Sequence, residues 1–251
     1  MGSPAHTPGP QPSPLADHAT GPGCAADYCP PVNANSGEKL TLHRHPERGR
    51  PERAELDAIL DAHPVGTLST VVDGRPWVVP MLFARDGDRL ILHGSTGAGA
   101  LRQVAAGSPA ALCVTLLDGV VVAGSTFACS ANYRSAVVHG TLTPLQGPEK
   151  AQALDALSDR LIPGRVGEVR AMTDKELAAT LAMTLPIVDG QWIAKVRTGP
   201  PGSPEPGGGV WEGVVPVRLT ADDPQPAPWI TDQAVPDSVA RLRVGLWEGA
   251  D

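Results

Sequence analysis

Short β-branched runs divided by Asp-Gly pairs limit most strongly what this chain can fold into. Residues 65–72 (VGTLSTVV), 76–84 (PWVVPMLFA) and 89–93 (RLILH) are short and rich in β-branched and other apolar residues, and they carry no helical period. Asp73-Gly74 separates the first two and Asp86-Gly87 the second from the third. Both members of an Asp-Gly pair tolerate positive φ, which tight hairpin turns require, so each pair predicts a hairpin. Asp118-Gly119, between residues 110–117 (AALCVTLL) and 120–127 (VVVAGSTF), predicts a third in the same way. Residues 135–145, 185–197 and 210–219 read as further strands. Tight hairpins between short strands mean an antiparallel sheet. Fully apolar stretches such as VVPML suggest burial on both faces, as in a small barrel covered by helices.

Helical patterning interrupts these strands. Residues 51–62 carry Pro51 at the start, acids in the first turn, and Leu56, Ile59 and Leu60 on one face. Residues 96–106 follow a turn at Gly94-Ser95, and residues 148–161 open on Pro148 and Glu149. Residues 173–183 open on Thr173-Asp174-Lys175-Glu176, the pattern of a capping box. With about eight strands and about four helices the class is α+β, mostly antiparallel. Residues 1–36 repeat proline and small residues with almost no aliphatics. They offer too little apolar surface to offset the entropy of ordering, so a disordered tail is expected. Residues 37–220 read as one domain. Residues 221–251 read as a proline-rich extension in which Trp229, Ile230, Val239, Leu242, Val244 and Leu246 could dock.

Composition excludes several classes. A net charge of −7 over 251 residues argues against general nucleic-acid binding, which needs a basic surface. No run reaches the roughly 18 apolar residues of a membrane span. The first residues lack a signal-peptide pattern, so a cytoplasmic location is expected. Cys24 and Cys29 have no matching pair downstream and read as free thiols, and Cys113 reads as a buried small hydrophobe. GxSxG, HExxH and Walker A motifs are absent, and the glycines after residue 93 do not open a βαβ unit. No metal site is predicted.

Three constellations carry candidate chemistry, each with a plain structural alternative. In LHGSTGAGALRQV (92–104), a strand ends at His93 and a helix begins after a glycine-rich turn. Unpaired amides at such a helix start, the hydroxyls of Ser95 and Thr96, and Arg102 can hold an anion. Equally, Ser95 or Thr96 can merely cap the helix. In Asn132-Tyr133-Arg134-Ser135, just before the strand AVVHG, Tyr133 can stack on a planar ring and Arg134 can pair with phosphate or carboxylate; a packed Tyr and solvated Arg is the alternative. Lys195 and Arg197 share one strand face, as an anion site or a solvated edge. His93 and His139 sit on strands, as fillers, proton donors or metal ligands.

VGTLSTVVDGRPWVVPMLFARDGDRLILHGSTGAGALRQV, LLDGVVVAGSTFACSANYRSAVVHGTL, KVRTGPP and VWEGVVPV together resemble the pyridoxamine 5′-phosphate oxidase-like proteins of the nitroimidazole-resistance type, over about residues 45–220. The resemblance implies an FMN-binding split β-barrel with flanking helices, a homodimer, and a cofactor held in a groove between subunits. His93-Gly94-Ser95 matches the turn beside the cofactor. Ala98 and Gly99 stand where related chains carry a further Ser or basic residue, which leaves Ser95, Thr96, the backbone amides and Arg102 as phosphate donors. Asn132, Tyr133, Arg134 and Ser135 match an NYRS-like segment. Ala128 and Cys129 stand where similar chains often carry histidines, with Cys129 either an iron ligand or a packed thiol.

The implied function is an FMN-dependent oxidoreductase acting on a small, planar, electron-poor substrate. Lys195 joins the phosphate end, Tyr133 and Arg134 flank the ring or substrate, and His93 or His139 relays a proton. Two alternatives stay open: haem in place of flavin, with His93, His139 and Cys129 as candidate ligands, or a non-catalytic flavin or small-ligand binding module.

Overall fold

The computed structural model describes residues 39–97, 99–105, 107–202 and 209–245. The tail expected over residues 1–36 and the possible docking of Leu246 lie outside them. The strands are β1 (Gly49–Arg50), β2 (Val65–Val72), β3 (Arg75–Asp86), β4 (Arg89–Ser95), β5 (Pro109–Val122), β6 (Ser130–Thr141), β7 (Thr143–Pro144), β8 (Thr180–Pro186), β9 (Trp192–Arg197) and β10 (Gly213–Pro216). The α-helices are α1 (Arg53–Asp61), α2 (Gly99–Ala105), α3 (Gly147–Leu161), α4 (Asp174–Ala179) and α5 (Asp237–Gly245). Neighbouring strands follow the order β1-β9-β6-β5-β2-β3-β4-β8-β7, with β10 added on β5, and the ladder does not close. Every pairing is antiparallel.

One strand divides the sheet. β3 pairs with β2 through Arg75–Leu82 and with β4 through Phe83–Asp86. Its inward residues Trp77, Val79 and Met81 pack on the main core, whereas Ala84 joins a second cluster. The main core holds Leu68, Phe83, Leu90, Leu92, Leu112 and Val138, closed by Leu56, Ile59 and Leu60 of α1. Each such side chain, taken fully from water, contributes about 1.5–3 kcal/mol. The second cluster seats Ala153, Leu154 and Leu157 of α3 on Ile91 and Ala182.

The first two hairpins form, the second with its turn one residue later than the predicted Asp86-Gly87. Asp73 and Gly74 both take positive φ (50° and 72°), and the next turn is Gly87-Asp88, with Gly87 at 57°. The third does not form. β5 runs straight through Asp118-Gly119, and its pairing with β6 slips by one residue between Leu117 and Gly119, which marks a bulge. The actual connection to β6 is the segment 123–129. Gly119 does not take positive φ; it serves close approach instead. A Cβ there would lie 2.9 Å from Val214 Cγ1 and 3.1 Å from the Val215 carbonyl of β10.

Two other expectations fail in the same manner. Residues 180–183, expected as helix, belong to β8, which pairs with β4 from Ser95↔Thr180 to Arg89↔Pro186. Helical propensity is a weak local preference beside a full strand ladder. The single strand expected over 185–197 is interrupted at Gly190 (φ 81°) between β8 and β9. The capping box does form: the Thr173 hydroxyl accepts from the Glu176 amide and the Glu176 carboxylate accepts from the Thr173 amide. Arg170 and these Thr173 contacts pull the Glu176 carboxyl down to about 2. The C-terminal extension is tied down by Ser238, wholly buried, whose amide and hydroxyl both donate to Glu168. Trp229 stays 79% exposed and does not dock.

Candidate functional site

The candidate residues fall into two groups. The first is the corner between β4 and α2. Leu90 and Leu92 anchor β4 in the core, while Leu101, Val104 and Ala105 anchor α2. Gly94 lets them meet, since a Cβ at this position would lie 2.6 Å from Leu101 Cδ1. The corner is less free to hold an anion than the sequence suggests. The Thr96 amide and hydroxyl both donate to the Ala179 carbonyl, at 3.1 and 3.2 Å. The Gly97 amide donates to Ser95 Oγ at 3.1 Å. Ser95 and Arg102 are exposed.

His93 stands at this corner, opposite Ala182 of β8. Its Nδ1 is buried without a hydrogen-bond partner. Burial pushes the imidazole below its ordinary pKa, so at neutral pH the ring is uncharged and keeps a lone pair.

The second group lies on β6 and β9. Asn132-Tyr133-Arg134-Ser135 is not a loop before a strand; it is part of β6, held between β5 and β9. Tyr133, Ser135, Val137 and His139 alternate with the buried Asn132, Ala136 and Val138, and so face away from the core. Ser135 sits between Thr115 of β5 and Lys195 of β9. The Lys195 side chain makes no hydrogen bond or ion pair among the described residues, and the residue is half-buried. His139, half-buried, is likewise pushed below its ordinary pKa by desolvation.

Arg134 is paired within the chain. Its guanidinium is already taken: Nε and Nη2 donate to the Asp118 carboxylate at 2.8–3.2 Å. That pairing raises the Arg134 pKa and leaves little charge for a ligand. Asp118 escaped the sequence reading because its Asp-Gly pair signals a turn, and the bulge that aims it at Arg134 has no local signature. Asn132 is also bonded within the chain: it donates to the Gly199 carbonyl at 3.0 Å and accepts from Arg197 at 2.5 Å. Cys129 is not a packed thiol; it is exposed and bonded to the backbone of Ala123. Cys113 is half-buried on the outward face of β5.

The two groups are not adjacent in the ladder, for β5, β2 and β3 lie between β6 and β4. The outward face of those intervening strands exposes Val71 and Val78 (each 60%), Leu117 (49%) and Leu82 (40%), interspersed with Thr67, Ser69 and Thr115. No group of three or more His, Cys, Asp or Glu poised for a metal ion occurs among the described residues.

Residues 52–191 match the family model described as pyridoxamine 5′-phosphate oxidase. Among solved structures, the FAD and haem binding protein from Mycobacterium smegmatis is 45% identical, covering 78% of this chain and 97% of that one, with a TM-score of 0.75. The flavocytochrome Anf3 from Azotobacter vinelandii is 33% identical, covering 81% and 96%, with a TM-score of 0.74. A candidate 5-nitroimidazole antibiotic resistance protein from Bacteroides thetaiotaomicron shares the fold at 19% identity, 59% and 86% coverage, and a TM-score of 0.50. No curated protein matches the sequence. With its family model spanning more than half its length and its antiparallel split barrel of α+β class, the chain belongs to the pyridoxamine 5′-phosphate oxidase family.

Proposed function

We propose that this protein is a redox protein that binds both a flavin and haem and works as a dimer. The observation that carries this reading is the 45% identity, over 78% of the chain, to a protein that binds FAD and haem. The second relative, a flavocytochrome, points the same way. FAD replaces FMN as the preferred flavin because the more similar relative takes FAD. Flavin and haem together also replace the choice between them that the sequence left open.

The chain's own residues fit such groups. A histidine that ligates iron must be neutral with a free ring nitrogen, and His93 has a buried, unpartnered Nδ1 and a lowered pKa. An anionic flavin tail needs a cation not already paired, and Lys195 beside Ser135 is one. Tyr133 shares their outward face and can lie against a flat ring, and His139 on the same face can hold or give a proton. Arg134, paired with Asp118, positions β6 beneath them. When bound, the flavin and haem supply the electron transfer, and the protein supplies position and electrostatics. The activity proposed is reduction or oxidation of a small, planar, electron-poor molecule.

The outward face of β2, β3 and β5 is the surface proposed to meet a second copy, since the large apolar side chains exposed on it, Val71, Val78, Leu82 and Leu117, favour association. Titration of the purified chain with FAD, FMN and haemin tests the cofactor reading. Lys195→Gln is expected to weaken flavin binding about tenfold, the loss of one charged contact, and His93→Ala to alter the haem spectrum. Saturable binding of neither cofactor would overturn the proposal.

A further inference from the structure

A cleft of about 520 Å³ lies between the segment leading into α1 and the edge of β9. Such a volume suits one small molecule. Leu42, Pro46 and Ile193 give it apolar walls. Lys39 and Arg50 line it, and neither pairs with a carboxylate among the described residues; Arg50 donates only to the carbonyls of Gly49 and Glu47, at 2.9 and 3.3 Å. Arg53 also lines it, but its charge is taken by Asp57 and Asp88. Asp189 is the one carboxylate in the lining. Two unpaired cations against one acid leave a single positive charge in excess. Trp192 completes the lining, and its ring also packs on the main core.

Apolar walls and one surplus positive charge together describe a complementary ligand. It has one negative charge, oxygen acceptors that can meet the Arg50 guanidinium and the Lys39 ammonium, and a compact apolar body. We propose that this cleft binds a small monoanionic carboxylate with a flat or branched apolar body. The site draws on none of the residues assigned to flavin or haem, so it stands or falls apart from that reading. A phosphate dianion suits it less, because two negative charges would meet one surplus positive charge.

Benzoate is the probe. The full-length protein, as purified, is labelled with 5-fluorotryptophan, and the Trp192 fluorine signal among the five tryptophans is assigned with Trp192→Phe. The proposal expects that signal to move saturably with benzoate and much less with neutral benzamide. Lys39→Gln and Arg50→Gln should each weaken the binding by about tenfold, the scale of one charged hydrogen bond. Lys39 is at the surface, so its variant remains informative even if Arg50→Gln misfolds. A fixed Trp192 signal, an equal response to benzamide, tighter binding of inorganic phosphate than of benzoate, or unchanged affinity in folded Lys39→Gln would each overturn it.

Discussion

Arg134 and Asp118 show how a single pairing draws a candidate residue into the framework. An arginine beside a tyrosine in a cofactor-family segment reads as a ligand-binding group, yet its forked face is filled by a carboxylate of the adjacent strand. Asp118→Asn is therefore expected to cost about 1–2 kcal/mol, allowing for partial solvent screening of the pair. Urea unfolding measures this, and an unchanged midpoint would contradict the structural role. His93 and His139 make a pH prediction. Desolvation lowers both pKa values below the ordinary 6.5. Below 6.5 the unfolded chain takes up protons that the folded chain refuses. The stability that these histidines contribute is full above 6.5 and is lost as pH falls toward their folded values. His93→Gln and His139→Gln should flatten that acid limb in unfolding curves collected across the range. An acid limb as steep as the wild type's would rule out both residues as its source.

At the scale of elements, the bulge at Gly119 joins β5 to β10. Gly119→Ala would press a methyl group onto Val214 and the Val215 carbonyl. Overpacking of this kind costs about 1–3 kcal/mol, and amide exchange should quicken at residues 213–216 while β2 and β3 keep their protection. The same glycine marks where the sequence stops being legible. The hairpins at Asp73-Gly74 and, one residue out, at Asp86-Gly87 could be read because their turns are decided by backbone φ at the turn itself. Asp118-Gly119 is an identical dipeptide whose conformation is decided by β10, far along the chain. Residues 180–183 look helical locally and become strand because β4 offers a full ladder. The candidate site follows the same division. His93, Ser135 and Lys195 could be named from local motifs. That Thr96 and Gly97 are spent on internal bonds could not, nor could the meeting of Lys39, Arg50 and Trp192 around one cleft.

For the whole molecule, the split barrel presents a broad outward sheet face rather than a closed wall. Apolar residues dominate one part of it and Tyr133, Ser135, Lys195 and His139 the other. If a second copy covers the apolar part, Val78→Asp would place a charge in the contact, an unfavourable burial. Light scattering should then find dimers of the wild type and monomers of the variant, with weaker flavin retention in the monomer. A monomeric wild type would remove the dimer from the proposal. The most direct measurement is the absorption spectrum of the full-length protein as purified, with mass spectrometry of the molecules released on denaturation. The proposal expects flavin bands and a haem Soret band together, with FAD among the released molecules. A colourless protein that acquires neither set of bands after FAD and haemin are added would contradict it.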